Sequence, residues 1–224
     1  VFAGLILLSW LFIKNKSSLK IGKKQIIPLL ALSVFSIYLT NILEFWGLQH
    51  LTAAKACFIY SLSPIFAALF SYLHFGEKIN HQKIFGMLIA ILAFIPVIKM
   101  QTGSEGLVSA FSVFSWPELA IMGAALCSVY GWVLLRVIVK SQTLSPLYAN
   151  GYSMLIGGSF AFIHSFFIDS WNPIPVTAGH FIPFLQGIML MTLISNILCY
   201  NLYGYLLRKF TATFLSFVGL LSPI

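Results

Sequence analysis

Two charged side chains, Glu44 and Lys55, lie inside apolar stretches of the sequence. A charge at the centre of a helix in lipid costs about 2.5–3.5 kcal/mol on insertion scales, so a functional role is the first hypothesis for each. Glu44 comes about one helical turn before the end of its stretch, and Lys55 about one turn after the start of the next. Because the turn at 48–52 is short, we expect the two side chains at similar depth, near enough to meet.

A lysine and a glutamate at one depth fit the chemistry of a zwitterion. Lys55 would hold the carboxylate of a bound zwitterion, and Glu44 its amino group. The alternatives are that Lys55 extends to the membrane interface, or that it forms an ion pair with only a structural role. The chain has five acidic residues, and Glu44 is predicted to be the only one within a span.

Polar and aromatic residues follow helical spacing near these charges. Tyr38, Asn41 and Glu44 are three residues apart and would share one helix face. Such stripes line cavities, where rings stack on a base or hold a cation, or they join neighbouring helices. The remaining candidates for the cavity wall are Asn196, Tyr200, Tyr203, Tyr130 and Trp132.

Two prolines, Pro64 and Pro223, fall inside predicted helices. Each lacks the backbone N–H that a helix needs, so a carbonyl one turn earlier loses its partner. The break would act as a hinge or widen the cavity, or it would be a static kink.

The composition requires lipid around these elements. Hydrophobic residues make up 59% of the 224-residue chain and charged residues 8%, with a mean hydropathy of +0.95. A soluble domain carries about 25% charged residues. The net charge of +8 does not indicate nucleic acid, because the basic residues lie between apolar runs and not on one face.

Apolar runs of about 20 residues predict an all-α, polytopic membrane protein. Loop charge alternates, with basic linkers at every second position and Lys99 as the exception, so 48–52, 101–116 and 169–179 are expected outside the cell. The predicted helices cover residues 1–13, 26–47, 53–74, 84–100, 117–138, 146–168, 180–206 and 211–224, the first and last being truncated.

Residues 48–65 and 207–224 are similar without a gap. Eight of eighteen positions are identical at a constant offset of 159 residues, among them the Thr52-Ala53 start and the Ser-Pro-Ile end. Five helix starts separate the two copies, so the second enters the membrane from the opposite side. Inverted repeats of this kind are typical of secondary transporters.

These motifs resemble a known family. The run from Thr52 to Leu69, followed by Gly76-Glu77-Lys78, is similar to the EamA domain of the drug/metabolite transporter superfamily, and 211–223 matches the same motif. The resemblance implies a ten-helix bundle of two inverted five-helix repeats, 1–100 and 117–224, around a central cavity. The segment 55–64 is also similar to S-adenosylmethionine/S-adenosylhomocysteine transporters of intracellular bacteria. This resemblance implies that Glu44 would hold either the amino group or the sulfonium group of such a substrate.

The leading hypothesis is a secondary transporter that moves a small polar metabolite across a bacterial inner membrane by alternating access. The best substrate is S-adenosylmethionine/S-adenosylhomocysteine or an amino acid. The alternatives are export of drugs or other amino acids, and a membrane-embedded lipid-modifying enzyme. No cofactor or metal is expected. The expected partners are the substrate, the bilayer, a coupled proton or exchanged substrate, and a second copy of the chain in a homodimer, but no nucleic acid. Both termini of the full-length protein would be cytoplasmic.

Overall fold

The computed structural model describes residues 1–14, 22–77, 81, 84–86, 88–89, 92, 115–141, 144–168, 176 and 178–219. Within these ranges every regular element is helical. The α-helices, numbered along the chain, are α1 (Phe2–Lys14), α2 (Lys23–Leu32), α3 (Thr40–Leu48), α4 (Ala53–Tyr60), α5 (Ser63–Phe75), α6 (Trp116–Lys140), α7 (Pro146–Ile168), α8 (Phe181–Leu190), α9 (Tyr200–Leu206) and α10 (Ala212–Gly219).

Five helical stretches of the described chain are long and apolar enough to cross a membrane. Their outer faces are apolar: Phe181–Leu190, for example, has no buried residue. Large apolar side chains in such numbers at the surface need lipid as their solvent. The five stretches are Gln25–Leu48, Ala53–Phe75, Trp116–Lys140, Pro146–Ile168 and Phe181–Leu206.

The sequence predictions agree with these bounds to within about three residues. The predicted helix 117–138 corresponds to α6, and 146–168 corresponds to α7. The predicted helix 84–100 lies mostly outside the described residues. Pro223 and the linkers at 14–24 and 101–116 also lie wholly or mostly outside them.

Two of the membrane-spanning stretches contain a π-helical segment. Ser33–Leu39 separates α2 from α3, and Met191–Cys199 separates α8 from α9. The two segments are related by the repeat offset of 159 residues. π-Helical turns are rare and are frequently found at functional sites.

The helices that follow these stretches begin alike. The Thr52 hydroxyl accepts a hydrogen bond from the Lys55 amide at 3.4 Å, and Thr211 accepts one from the Phe214 amide at 3.2 Å. A threonine in this position caps the exposed N–H groups of a first turn. The two copies of the repeat, 159 residues apart, therefore share a helix-capping hydrogen bond as well as similar sequence.

The chain forms two compact units, and each takes helices from both halves of the sequence. The first unit comprises Val1–Tyr38 and Leu134–Lys209. Here α1 packs on α7 at very short range, because a Cβ atom on Gly4 would lie 2.6 Å from the Leu155 nitrogen. Such close backbone contact through glycine is typical of membrane helix pairs.

The second unit comprises Leu39–Val133 and Phe210–Ile224. Its stretch Ala53–Phe75 is broken, since α4 ends at Tyr60 and α5 begins at Ser63 with Pro64 in its first turn. Pro64 is buried and has no N–H with which to donate to the Tyr60 carbonyl. Just before it, the Leu62 amide donates to the Ile59 carbonyl, three residues back, at 3.1 Å. The interruption predicted at Pro64 is present, while its role as a hinge stays a prediction.

Candidate functional site

In the second unit Lys55 forms an ion pair with Glu118, which lies in the first turn of α6. The Lys55 ammonium donates to Glu118 Oε1. The Glu118 side chain is 4% exposed and that of Lys55 is 19% exposed, so the charges are largely withdrawn from solvent. Two charges this buried attract each other strongly, because little water lies near them to screen the attraction.

A second polar contact lies on the same helix, α4. The Tyr60 hydroxyl donates to Glu44 Oε2 at 3.0 Å, and both side chains are half-buried. Lys55 and Tyr60 are the α4 members of these two contacts, which we call the α4 pairs: Lys55–Glu118 and Tyr60–Glu44.

An apolar cluster positions the α4 pairs. Ala56 and Ile59 of α4 are buried against Ile121 of α6, and Tyr60 packs against them. Ile59 and Ile121 follow Lys55 and Glu118 by one turn, so they lie on the same helix faces as those charges.

Helix α3, which carries Glu44, joins the same packing. A Cβ atom on Gly47 would lie 2.7 Å from the Ile121 side chain and 3.2 Å from the Pro117 carbonyl oxygen, so a larger residue would force the Ile121 side chain to move. Packing of α3, α4 and α6 thus brings the four polar residues around one apolar cluster.

The pairing differs from the sequence expectation. Lys55 and Glu44 were expected to meet, but Lys55 contacts Glu118 and Glu44 contacts Tyr60. Glu44 was also expected to be the only acid within a span, and this is wrong because the apolar stretch Trp116–Lys140 includes Glu118, as the predicted helix 117–138 already did. The Trp-Pro-Glu start of α6 carried the signal, since proline and an acidic residue favour a first helical turn.

The other candidates in the second unit lie elsewhere or are less defined. The Tyr130 ring contacts Phe70 and His74, with ring centroids 5.2 and 5.6 Å away. Trp132 and Asn41 are half-buried in α6 and α3. Asn41 lies one turn before Glu44, so it belongs to the helix that carries the Tyr60–Glu44 contact.

The remaining candidates belong to the first unit. Tyr38 contacts Phe160 and His164 of α7 at centroid distances of 6.1 and 5.7 Å, so it does not share a helix partner with Glu44. Tyr38 is six residues from Glu44, and in a regular helix this spacing already turns the two side chains about 120° apart. Asn196 is half-buried in the second π-helical segment, and Tyr203 is half-buried in α9.

Sequence reasoning missed an amide pair in the first unit. Asn150 of α7 donates to the Tyr200 carbonyl at 3.0 Å and to Asn201 Oδ1 at 3.2 Å. Tyr200 itself packs against the buried residues Ala3, Leu7 and Met154. Asn150 and Asn201 are buried, and interhelical amide bonds of this kind hold membrane helices together.

Comparison with known proteins decides the class of this molecule. The model of the EamA-like transporter family matches residues 1–98 and 115–224. The chain belongs to the EamA-like transporter family. It is therefore a polytopic membrane transporter of a small molecule and not an enzyme, as the sequence predicted. Within the described residues no group of His, Cys, Asp and Glu is arranged to hold a metal ion.

Three transporters are similar in sequence to this chain. The chain is 40% identical over 225 residues to the "S-adenosylmethionine/S-adenosylhomocysteine transporter" of Chlamydia trachomatis serovar L2, covering 100% of this chain and 68% of the relative. A protein of the same description from Chlamydia muridarum is 38% identical over 229 residues, covering 100% and 70%. An uncharacterized transporter of Buchnera aphidicola is 27% identical over 168 residues, covering 75% and 53%.

Proposed function

We propose that this EamA-like transporter carries S-adenosylmethionine and S-adenosylhomocysteine across a bacterial inner membrane. The observation that carries the proposal is the identity of 40% over the whole chain to a chlamydial protein described as a transporter of these two compounds. The chemistry of the α4 pairs is compatible with it, since they supply one ammonium and two carboxylates to a substrate that contains both signs of charge.

The charge balance of the α4 pairs supports the same substrate. With both carboxylates ionised, Lys55, Glu44 and Glu118 sum to a formal charge of −1. S-adenosylmethionine carries a carboxylate, an ammonium and a sulfonium, which sum to +1. The net charges of the side chains and of S-adenosylmethionine are therefore equal and opposite. Ionic groups of the substrate that lose their water in an apolar site would gain charged side chains as partners instead. Lys55 would hold the carboxylate, and Glu44 the sulfonium or the amino group.

The mechanism proposed is alternating access through two inverted repeats, at 1–100 and 117–224, within a ten-helix bundle. In the second unit Asn41, Tyr130 and Trp132 would also contact the substrate, and Pro64 and Pro223 would act as hinges. In the first unit Tyr38, Asn196, Tyr200 and Tyr203 stay candidates for substrate contact. The driving force would be exchange of one adenosyl compound for the other or coupling to protons.

Proteoliposomes that contain the full-length protein test the substrate. We expect saturable uptake of labelled S-adenosylmethionine, inhibited by unlabelled S-adenosylhomocysteine and not by plain amino acids. Preloading with S-adenosylhomocysteine should accelerate uptake if the two compounds exchange, and an imposed pH gradient should do so if protons are coupled. Protein-free liposomes are the control. If neither adenosyl compound is taken up in a saturable way, the proposed substrate is wrong.

A further inference from the structure

Glu118 holds one carboxylate oxygen that its ion pair leaves unused. Oε1 receives the Lys55 ammonium, whereas Oε2 is buried and has no hydrogen-bond partner among the residues that the structure describes. The whole residue is 3% exposed. A buried carboxylate oxygen without a donor is unfavourable, so this atom is a strong acceptor for any cation that reaches it.

Lys55 has the complementary capacity. Its ammonium has three N–H donors, and the contact with Glu118 Oε1 uses one of them. Its side chain is 19% exposed against 4% for Glu118, so an arriving group can approach the pair from the lysine side. Counting only described residues, the pair therefore has one carboxylate oxygen without a donor and an ammonium with two N–H groups that Glu118 does not use.

We infer that the Lys55–Glu118 pair binds the α-amino-acid end of the substrate, with the α-ammonium on Glu118 Oε2 and the carboxylate on Lys55. The inference rests on the proposed function, and it makes Glu118 a recognition residue. An ammonium and a carboxylate joined through one carbon match a carboxylate and an ammonium already paired. The four charges alternate in sign around the contact, so each gains a neighbour of opposite charge.

The surroundings of Glu44 and Glu118 suit them to different groups of the substrate. Glu44 already accepts the Tyr60 hydroxyl and is only half-buried, which suits a diffuse sulfonium that donates no hydrogen bond. Glu118 is buried with a free acceptor atom, which suits an ammonium that donates three. Glu118 therefore recognises a group common to both adenosyl compounds, and Glu44 recognises the group that only S-adenosylmethionine has.

A cycle that changes both the side chain and the ligand tests this assignment. Inhibition of labelled S-adenosylmethionine uptake is measured with S-adenosylhomocysteine and with its analogue lacking the α-amino group. The wild type should prefer the parent compound by roughly ten- to a hundredfold, as expected for a hydrogen bond between charged groups. Glu118→Gln should lose most of that preference, while Glu44→Gln, the matched control, should keep it.

The outcomes separate the alternatives. A Glu118 with only a structural role would weaken both inhibitors equally, leaving the preference unchanged and overturning the inference. Loss of the preference in Glu44→Gln instead would overturn it as well. Failure of the wild type to take up either adenosyl compound would refute the proposed function, and the inference would fall with it.

A second variant, which keeps Glu118, tests the carboxylate end of the same assignment. Lys55→Met retains Glu118 and should abolish the preference for S-adenosylhomocysteine over its decarboxylated analogue. The preference over the analogue lacking the amino group should survive in Lys55→Met, because its acceptor is intact. The opposite pattern would contradict the assignment of the two ends.

Discussion

The Lys55–Glu118 ion pair contributes little to stability when it is intact but is costly to break. A buried ion pair gives little net stability, because desolvation of both charges offsets their attraction. Removal of one partner is expensive, however, at about 3–5 kcal/mol, because it leaves the other charge buried alone. This combination suits a transporter, because a charged substrate can supply hydrogen-bond and ionic partners that the buried Lys55–Glu118 pair lacks.

Glu44 is expected to set the preference between the two adenosyl compounds. Glu44→Gln removes the charge that would face the sulfonium, so the affinity for S-adenosylmethionine should fall about tenfold relative to that for S-adenosylhomocysteine. Competition by each unlabelled compound in the same uptake assay gives the ratio directly.

Tyr60→Phe is the matched control for this change. It removes the hydroxyl that donates to Glu44 but leaves the carboxylate charge, so the ratio of the two affinities should remain near that of the wild type. An unchanged ratio in Glu44→Gln would argue against recognition of the sulfonium by this residue.

At the level of elements, the packing of α7 on the first π-helical segment depends on Gly157. A Cβ atom there would lie 2.5 Å from the Ser33 carbonyl oxygen and 2.7 Å from Ile37 Cβ. Gly157→Ala should therefore cost about 1–3 kcal/mol through overpacking, which lowers the Tm by roughly 2–10 °C. Thermal unfolding of the purified protein in detergent measures the shift.

Gly187 provides the control, because nothing lies within 4 Å of a Cβ atom built on it. Gly187→Ala should leave the Tm equal or slightly higher, since alanine is the better helix former. Equal Tm values for the two variants would contradict the close contact at Gly157.

Sequence reasoning located helices well and contacts poorly, for physical reasons. The lengths of the apolar runs fix α6 and α7, because a bilayer sets the length of any helix that crosses it. The π-helical segments have no such signal, because the sequence of Ser33–Leu39 would suit an α-helix equally well. The partner of Lys55 lies 63 residues away along the chain, so helix spacing could not identify it.

For the whole molecule, orientation is the property that the loop charges predict. The turn at 48–52 should face outward and the segment after α6 inward. In a background with Cys57, Cys127 and Cys199 replaced by serine, Gln49→Cys should react with a membrane-impermeant maleimide in intact cells. Ser141→Cys should react only after the cells are lysed.

Both positions are exposed in the structure, so labelling in lysed cells is the control for reactivity. The reverse labelling pattern would refute the orientation without affecting the family assignment.

The separation of Lys55 from Glu118 also has a consequence for biosynthesis. Ribosomes add roughly 5–20 residues per second, so the 63 residues between the two charges take about 3–13 seconds to appear. During that interval Glu118 has not yet been synthesised, so Lys55 lacks this partner. Lys55 lies in the first turn of α4, where its long side chain can reach the headgroups until α6 arrives. The contact thus sets an order of assembly, in which α6 completes a segment that was inserted earlier.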